Sequence, residues 1–178
     1  PLLGPILGLG LSISTNDIYT LKSSIINTLV MVFLSIGTAY IFFISIQISE
    51  ETPELLSRTS PDIRDVLIAF FGGLALIIAK TKKENISSAI FGVAIATALM
   101  PPLCTVGYYL AEGELLKAWG AILLFLINTL YIIVATYLTL KFLRFPLIVY
   151  ANSRRRRFIG NAIALIAISS FIFAGYKF

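Results

Sequence analysis

The sequence predicts an all-α membrane protein, a polytopic transmembrane helical bundle of about six spans that forms two inverted three-span repeats with Pro/Gly-broken first helices. Three observations predict this class. Hydrophobic residues make up 58% of the 178 residues and charged residues 13%, which is about half the charged share of a soluble domain. Several apolar runs exceed the roughly 18 residues that mark a candidate transmembrane helix. Similar residues also recur in the same order in the two halves of the chain.

Charges and prolines divide the chain into six apolar segments, which are residues 1–14, 23–48, 66–79, 86–111, 118–140 and 158–176. These runs are too long and too uniformly apolar for barrel strands, so inside lipid they would be helices. The third run is short, and "SRTSPDI" extends it, with Ser60 as N-cap, Pro61 at the first helical position and Asp62 in the first turn. Because the chain begins inside an apolar run without Met, we expect the front of the first span to be missing.

Threading the segments alternately across a bilayer separates the charges by sign. Most acidic residues, including Glu51 and Glu114, fall on one side. The opposite side receives two strongly basic loops, with Lys80, Lys82 and Lys83 in one and Arg154, Arg155, Arg156 and Arg157 in the other. Positively charged loops stay in the cytoplasm, so these loops are predicted to be cytoplasmic. Besides the lipid bilayer itself, we expect anionic lipid as a partner of the four arginines.

A weak internal repeat relates the two halves of the chain. Three pairs match at an offset of 97 residues: Pro5 with Pro102, Gly10 with Gly107, and Asp17 with Glu114. The tetrapeptide "INTL" recurs at residues 26–29 and 127–130, and this offset of 101 differs from 97 by about one helical turn. We therefore predict a first repeat at residues 1–85 and a second at residues 86–178. Three spans is an odd number, so the second repeat would be inverted, as in many secondary transporters.

The paired proline breaks form the predicted substrate-binding site. A proline in mid-span frees backbone carbonyls and a half-helix N-terminus, which only protein or a polar cavity can satisfy. The candidates are the prolines, the small and hydroxyl residues around them, and two asparagines inside apolar helices: Pro5, Gly8, Gly10, Ser12, Ser14, Asn27, Thr97, Pro101, Pro102, Thr105, Gly107 and Asn128. The alternative is that the breaks are packing kinks and the asparagines make ordinary interhelical hydrogen bonds.

The residue types that the chain lacks narrow its chemistry. It has no His and a single Cys, so neither a metal site nor a cofactor is predicted. The span interiors hold no charged residue, which argues against a carboxylate-based proton antiporter. Carbonyls, hydroxyls and helix dipoles would suit a small neutral or zwitterionic solute, or an anion at a half-helix N-terminus. Without a catalytic constellation or a phosphate-binding loop, no enzyme activity is expected. No nucleic-acid site is predicted either.

Three stretches of the chain are "PLLGPILGLGLS", "SRTSPDI" and "GVAIATALMPPLCTVGYYLAEGE". Together they resemble the domain-of-unknown-function 389 (DUF389) family of hydrophobic prokaryotic membrane proteins. The resemblance extends from Pro1 to about Leu143 and does not include the four-arginine run. It implies a multi-pass domain in the cell (inner) membrane of a prokaryote, and it supplies no substrate.

Two functions remain open from the sequence. The first is a secondary transporter or channel-like protein that passes a small solute through the paired breaks near mid-membrane. The second is a structural or accessory membrane subunit without transport activity, whose breaks serve packing. In either case we expect a homo-oligomer or a subunit of a membrane complex, because six spans with a short first one leave little room for a buried polar site.

Overall fold

The structure is a computed structural model that describes residues 2–46, 50–81 and 85–144, and there every regular element is an α-helix. The helices are α1 (Leu3–Thr15), α2 (Ile18–Ile46), α3 (Pro53–Ser57), α4 (Ile63–Thr81), α5 (Asn85–Ala111) and α6 (Leu115–Phe142). The predicted all-α class is confirmed. The predicted span at residues 158–176, the four arginines, and Lys82 and Lys83 lie outside the described residues.

Two of the described helices, α2 and α6, are long and apolar enough to cross a membrane. They have 29 and 28 residues, and at about 1.5 Å per residue each exceeds the ~30 Å thickness of a bilayer's hydrocarbon core. The apolar helix α1 is shorter, with 13 residues. These three helices, together with α4 and α5, match five of the six predicted apolar segments. The described chain therefore has the apolar helices that association with a membrane requires.

The sequence analysis does not predict the short helix α3, because the features that favour this helix are confined to two neighbouring residues. The hydroxyl of Thr52 accepts a hydrogen bond from the backbone N–H of Leu55 at 3.3 Å, and Pro53 stands at the first helical position. Both features favour a helix start. A helix of five residues is too short to show a periodic apolar pattern, so sequence periodicity cannot reveal it.

Helix α4 begins later than predicted. Its first residue is Ile63, and Asp62 accepts a hydrogen bond from the Arg64 N–H at 3.3 Å. In return, the carboxylate of Asp65 accepts a hydrogen bond from the Asp62 N–H at 3.1 Å. This reciprocal arrangement resembles a capping box, except that the side chain of Asp62 bonds to the N–H of the second helical residue and not the third. The predicted N-cap at Ser60 is therefore wrong, because Asp62 caps the helix in its place.

Two turns of the same design join α1 to α2 and α5 to α6. Asn16 and Gly113 both have left-handed backbone conformations, with φ angles of 61° and 78°. The backbone N–H groups of the next residues, Asp17 and Glu114, each donate at 2.8 Å to the carbonyl five residues upstream. Helices α2 and α6 then begin at residues 18 and 115. Each of these pairs of positions differs by 97, so the backbone geometry follows the offset found in the sequence.

The two turns differ in their side-chain caps. The carboxylate of Asp17 accepts hydrogen bonds from the backbone N–H groups of Tyr19 and Thr20, at 3.0 and 3.2 Å. Hydrogen bonds from Thr20, first from its hydroxyl and then from its backbone, lower the pKa of Asp17 below its ordinary value. Glu114 makes no side-chain cap to α6. The first turn is therefore the better capped of the two.

The two helical hairpins, α1–α2 and α5–α6, run in opposite directions. Helices α2 and α5 are parallel, because Ser35 Oγ lies 3.9 Å from Met100 Sδ and, further along both helices, Ala39 lies against Gly107. The tight turns make α1 antiparallel to α2 and α6 antiparallel to α5. It follows that α1 opposes α5 in direction and α2 opposes α6.

The helices pack around an apolar core between α1, α4, α5 and α6. Its members include the fully buried side chains of Ile6, Leu76, Leu99, Leu103 and Ile132. Helix α4 packs against α5 and α6, whereas α1 packs against α2 and α6. Helix α2 contacts α1 and α5, and most of its remaining surface is exposed. Polar groups of α5 and α6 are thereby placed inside an apolar environment.

Candidate functional site

Helix α5 passes through Pro101 and Pro102 as one continuous helix, so the predicted break and its half-helix N-terminus are wrong. Pro102 has no N–H to donate to the carbonyl of Ala98, one helical turn upstream. The side-chain amide of Asn128, on α6, donates to that carbonyl instead, at 3.0 Å. A neighbouring helix can supply the missing donor in this way. The freed carbonyl was therefore predicted correctly, but an interhelical hydrogen bond keeps the helix intact.

Two polar groups on α6 remain unpaired beside this hydrogen bond. Asn128 is 2% exposed, and its Oδ1 has no hydrogen-bond partner among the described residues. The same is true of the hydroxyl of its neighbour Thr129. The other buried threonines of the described chain each donate to the carbonyl four residues upstream: Thr15, Thr28, Thr105, Thr136 and Thr139. Thr129 departs from that pattern and leaves a hydroxyl available.

The unpaired groups have an energetic cost. Burying a hydrogen-bonding group without a partner costs about 1–3 kcal/mol. Such groups are few in native proteins, and a bound water, ion or ligand is a common explanation. The surrounding side chains of α6, including Leu124, Phe125 and Ile132, are buried and apolar. We therefore take the "polar pair", defined as Asn128, whose amide bonds to the Ala98 carbonyl, and the next residue along α6, Thr129, as the candidate functional site.

The candidates on α1 take part in packing and in local hydrogen bonds. Pro5 lies in the first turn of the helix, where a missing N–H breaks no helical hydrogen bond. The predicted break is therefore absent from the described part of α1. A methyl group on Gly8 would lie 2.5 Å from Ser24 Oγ on α2. The hydroxyls of Ser12 and Ser14 donate to carbonyls three residues upstream. The contacts named here are therefore local or made to α2.

Glycines Gly10 and Gly107 form two equivalent contacts between the hairpins. A methyl group on Gly10 would lie 2.5 Å from Cβ of Thr136 on α6, and one on Gly107 would lie 2.5 Å from Cβ of Ala39 on α2. The glycines differ by 97 in sequence, and so do their two partners. The sequence reasoning missed both partners, although the same offset relates them. These glycines therefore permit the close approach of the two hairpins.

The remaining candidates have separate places. Thr105 is buried and donates to the carbonyl of Pro101 at 3.0 Å. The side chain of Thr97 lies outside the described residues, although its position is within α5. Asn27 is exposed on α2, with its amide 3.5 Å from the hydroxyl of Ser23. At the structural offset of 97 it corresponds to Leu124 and not to Asn128, so the match of the "INTL" tetrapeptides is out of register.

A second polar cluster connects the loop between α2 and α3 to the C-terminal end of α5 and the N-terminal end of α6. Tyr109 Oη donates to Glu51 Oε1 at 2.5 Å, and Lys117 Nζ lies 2.9 Å from the same oxygen. These contacts, first the tyrosine and then the lysine, lower the pKa of Glu51. Tyr109 is buried, Glu51 and Lys117 are partly exposed, and the two charges are mutually paired, which favours a structural role. The described residues also hold no group of three or more His, Cys, Asp or Glu that could bind a metal.

Comparison with known proteins gives the family. The model of the domain of unknown function DUF389 matches residues 1–134. The chain belongs to the DUF389 family. It is also 37% identical over 136 residues to the uncharacterized protein MJ0678 of Methanocaldococcus jannaschii, a match that covers 74% of this chain and 41% of that protein. No solved structure matches the chain.

The DUF389 match includes both turns, the proline pair and the polar pair. The resemblance predicted from three short stretches is therefore confirmed. The chain spans about two fifths of the length of the relative that it matches. That relative is described as uncharacterized, so we argue function from the geometry of this chain.

Proposed function

We propose that this DUF389 chain is a membrane domain of two inverted three-helix repeats that passes a small solute across the bilayer by way of the polar pair. The observation that carries the proposal is the presence of two adjacent, buried and unpaired polar groups, Asn128 Oδ1 and Thr129 Oγ1, in the middle of an apolar helix. A solute that hydrogen-bonds to them as it passes would offset the cost of burying them.

Two features support the inverted repeat. The turns after Asn16 and Gly113 share their backbone hydrogen bonds, and the helices that follow begin at equivalent positions. Each hairpin also contacts the other through an equivalent glycine, Gly10 in one case and Gly107 in the other. Binding sites of inverted-repeat transporters lie near mid-membrane at the interface of the repeats. The polar pair lies in the middle of α6, one helix of the second hairpin.

The geometry favours a solute that carries hydrogen-bond donors. The amide nitrogen of Asn128 donates one of its two hydrogens to the Ala98 carbonyl, whereas its oxygen is an acceptor without a partner among the described residues. Pro101 likewise leaves the Thr97 carbonyl without its helical donor. An anion is disfavoured, because α5 continues through the prolines and offers no half-helix N-terminus. A small neutral or zwitterionic solute with N–H or O–H groups fits these acceptors.

The charge distribution supports the predicted sidedness. The helix directions put Lys22, Lys80 and Lys141 at one end of the bundle. The other end carries acidic groups such as Glu51 and Glu112. We propose that the basic end is cytoplasmic and that the domain has no catalytic activity. Anionic lipid at the four arginines and assembly into an oligomer or a larger membrane complex belong to the same proposal.

The alternative function is a structural or accessory membrane subunit. The close approaches of Gly10, Gly107 and Gly73 favour it, because each glycine serves helix packing. A packing element excludes water from the polar pair, whereas a transport site requires it. A single measurement of water access therefore separates the two functions.

We predict that water reaches Thr129 in the native protein. Cys104 is exposed on α5, so labelling of its thiol would be mistaken for labelling of the introduced cysteine. A Cys104→Ser background removes this signal. In that background, Thr129→Cys is expected to react in intact membranes with a small, charged, membrane-impermeant thiol reagent. The matched control is Thr136→Cys, a buried threonine on the same helix whose hydroxyl is satisfied. We expect the control to react only after denaturation.

The opposite result would favour the structural role. If Thr129→Cys and Thr136→Cys are equally protected in membranes and equally reactive after denaturation, the polar pair is dry. If Thr129→Cys reacts as predicted, protection of its thiol by an added solute would identify substrates. Screening should begin with small neutral solutes that carry N–H and O–H groups.

A further inference from the structure

Much of the surface of α2 is exposed in the described part of the chain, and one stripe of this surface has a buried counterpart on α6. The stripe consists of Asn27, Leu34, Thr38 and Phe42, whose spacings of seven, four and four residues place them on one face of the helix. Leu34 and Phe42 are 62% and 52% exposed. The amide of Asn27 has the hydroxyl of Ser23 at 3.5 Å as a partner, but lipid offers no partner for its remaining hydrogen-bonding groups. Something is therefore expected to cover this stripe.

The equivalent stripe of α6 is buried. At an offset of 97 its members are Leu124, Tyr131, Ala135 and Thr139, all of which are 7% exposed or less. Helix α4 packs along α6 there, and a methyl group on Gly73 would lie 3.1 Å from Cβ of Ala135. The two helices are parallel, because Thr59, just before α4, lies against Gly120 near the start of α6. Within residues 2–46, 50–81 and 85–144, one hairpin thus has a covering helix and the other has none.

The sequence contains a counterpart of α4 at the same offset. Helix α4 covers residues 63–81, and an offset of 97 maps it onto residues 160–178, which are uncharged and largely apolar up to Lys177. The small pair Gly72 and Gly73 maps onto Ser169 and Ser170, and Lys80 maps onto Lys177. Small residues at helix interfaces permit close approach, and serines can also hydrogen-bond across them.

We propose that residues 160–178 cover the exposed stripe of α2 as α4 covers α6, with Ser170 opposite Thr38. The occupant is this segment of the same chain, because it has the length of α4, the matching position of its small pair and the matching basic residue. The proposal rests on the inverted repeat proposed above and does not depend on transport. It also gives Asn27 a role, which is to lie at the interface with the covering segment.

Disulfide cross-linking tests the proposal in the full chain. In the Cys104→Ser background, Thr38→Cys is combined with Ser170→Cys, and membranes are treated with a mild oxidant. Disulfides require Cβ atoms about 3.5–4.5 Å apart. We expect a cross-link within one chain, detected by mass spectrometry after proteolysis. The matched control is Phe33→Cys with Ser170→Cys, because Phe33 is 72% exposed and lies about 140° around α2 from Thr38, and it should not cross-link.

A reference pair makes a negative result informative. Gly73→Cys with Ala135→Cys joins the equivalent positions of α4 and α6 and is expected to cross-link. If this pair cross-links and the Thr38–Ser170 pair does not, the proposal is overturned and lipid covers the stripe. If Thr38→Cys alone cross-links between chains, a second copy covers it, which also overturns the proposal. Neither outcome bears on the reactivity of Thr129→Cys, so the two proposals fail separately.

Discussion

Replacing Gly107 by alanine is expected to destabilise the protein markedly. The added methyl group would lie 2.5 Å from Cβ of Ala39 and 2.9 Å from the backbone nitrogen of Tyr40. A backbone atom cannot move aside without shifting α2. Overpacking typically costs about 1–3 kcal/mol, whereas alanine's better helix propensity offsets about 1 kcal/mol. Thermal unfolding of Gly107→Ala in one detergent should therefore show a lower midpoint than the wild type.

The matched control is Gly37→Ala in α2, where an added methyl group would meet nothing within 4 Å in the described part of the chain. Alanine is favoured over glycine by about 0.5–1 kcal/mol inside a helix, so this variant should be as stable as the wild type or slightly more stable. Gly10→Ala, the repeat-equivalent change against Thr136, should behave like Gly107→Ala. Equal midpoints for Gly107→Ala and Gly37→Ala would contradict the close approach of α5 to α2.

Removing the hydrogen bond from the Asn128 amide to the Ala98 carbonyl is expected to have a cost that a second substitution reverses. Asn128→Leu leaves this carbonyl without a donor inside the bundle, which costs about 1–3 kcal/mol, although removal of the unpaired Oδ1 of Asn128 offsets part of that cost. Pro102→Ala restores a backbone N–H at the position that normally donates to this carbonyl. A double-mutant cycle should therefore give a favourable coupling of about 1 kcal/mol or more between the two sites.

The neighbouring proline provides the control for this cycle. Pro101→Ala restores an N–H that serves the Thr97 carbonyl and not the Ala98 carbonyl. It should therefore fail to rescue Asn128→Leu. The unfolding midpoints of the single and double variants show which of the two proline substitutions rescues Asn128→Leu. Additive effects of Asn128→Leu and Pro102→Ala would show that the hydrogen bond from Asn128 to Ala98 does not compensate for the proline.

The helices could be predicted from the sequence where an apolar run is long. Residues 86–111 and 118–140 were predicted nearly as the structure has them, because length and composition alone decide such helices. Helix starts were less predictable. Ser60 and Asp62 are both good N-cap residues, and only the reciprocal hydrogen bond with Asp65 selects the second. The sequence shows that Asp65 stands three residues after Asp62, but it does not show whether the hydrogen bond between them forms.

The candidate site was predictable in part for a similar reason. The double proline indicated a freed carbonyl, and Asn128 was recognised as a polar group in an apolar helix. Which groups meet depends on how α5 and α6 are rotated about their axes, and composition does not determine that. The unpaired hydroxyl of Thr129 gave no signal, because threonine usually bonds to its own helix. The sequence predicts Gly10 and Gly107 as site residues because they are small residues near the prolines. Small residues also permit close helix packing, and the structure places both glycines in such contacts.

The measurement that tests the account most directly is the sidedness of the two turns. Tyr19 and Leu116 occupy equivalent positions just after the turns and are 80% and 89% exposed. In the Cys104→Ser background, Tyr19→Cys and Leu116→Cys would each be labelled with a membrane-impermeant thiol reagent in vesicles of both orientations. An inverted repeat in a membrane predicts that Tyr19→Cys reacts only from the cytoplasmic face and Leu116→Cys only from the opposite face. Reaction of both from the same face would contradict it.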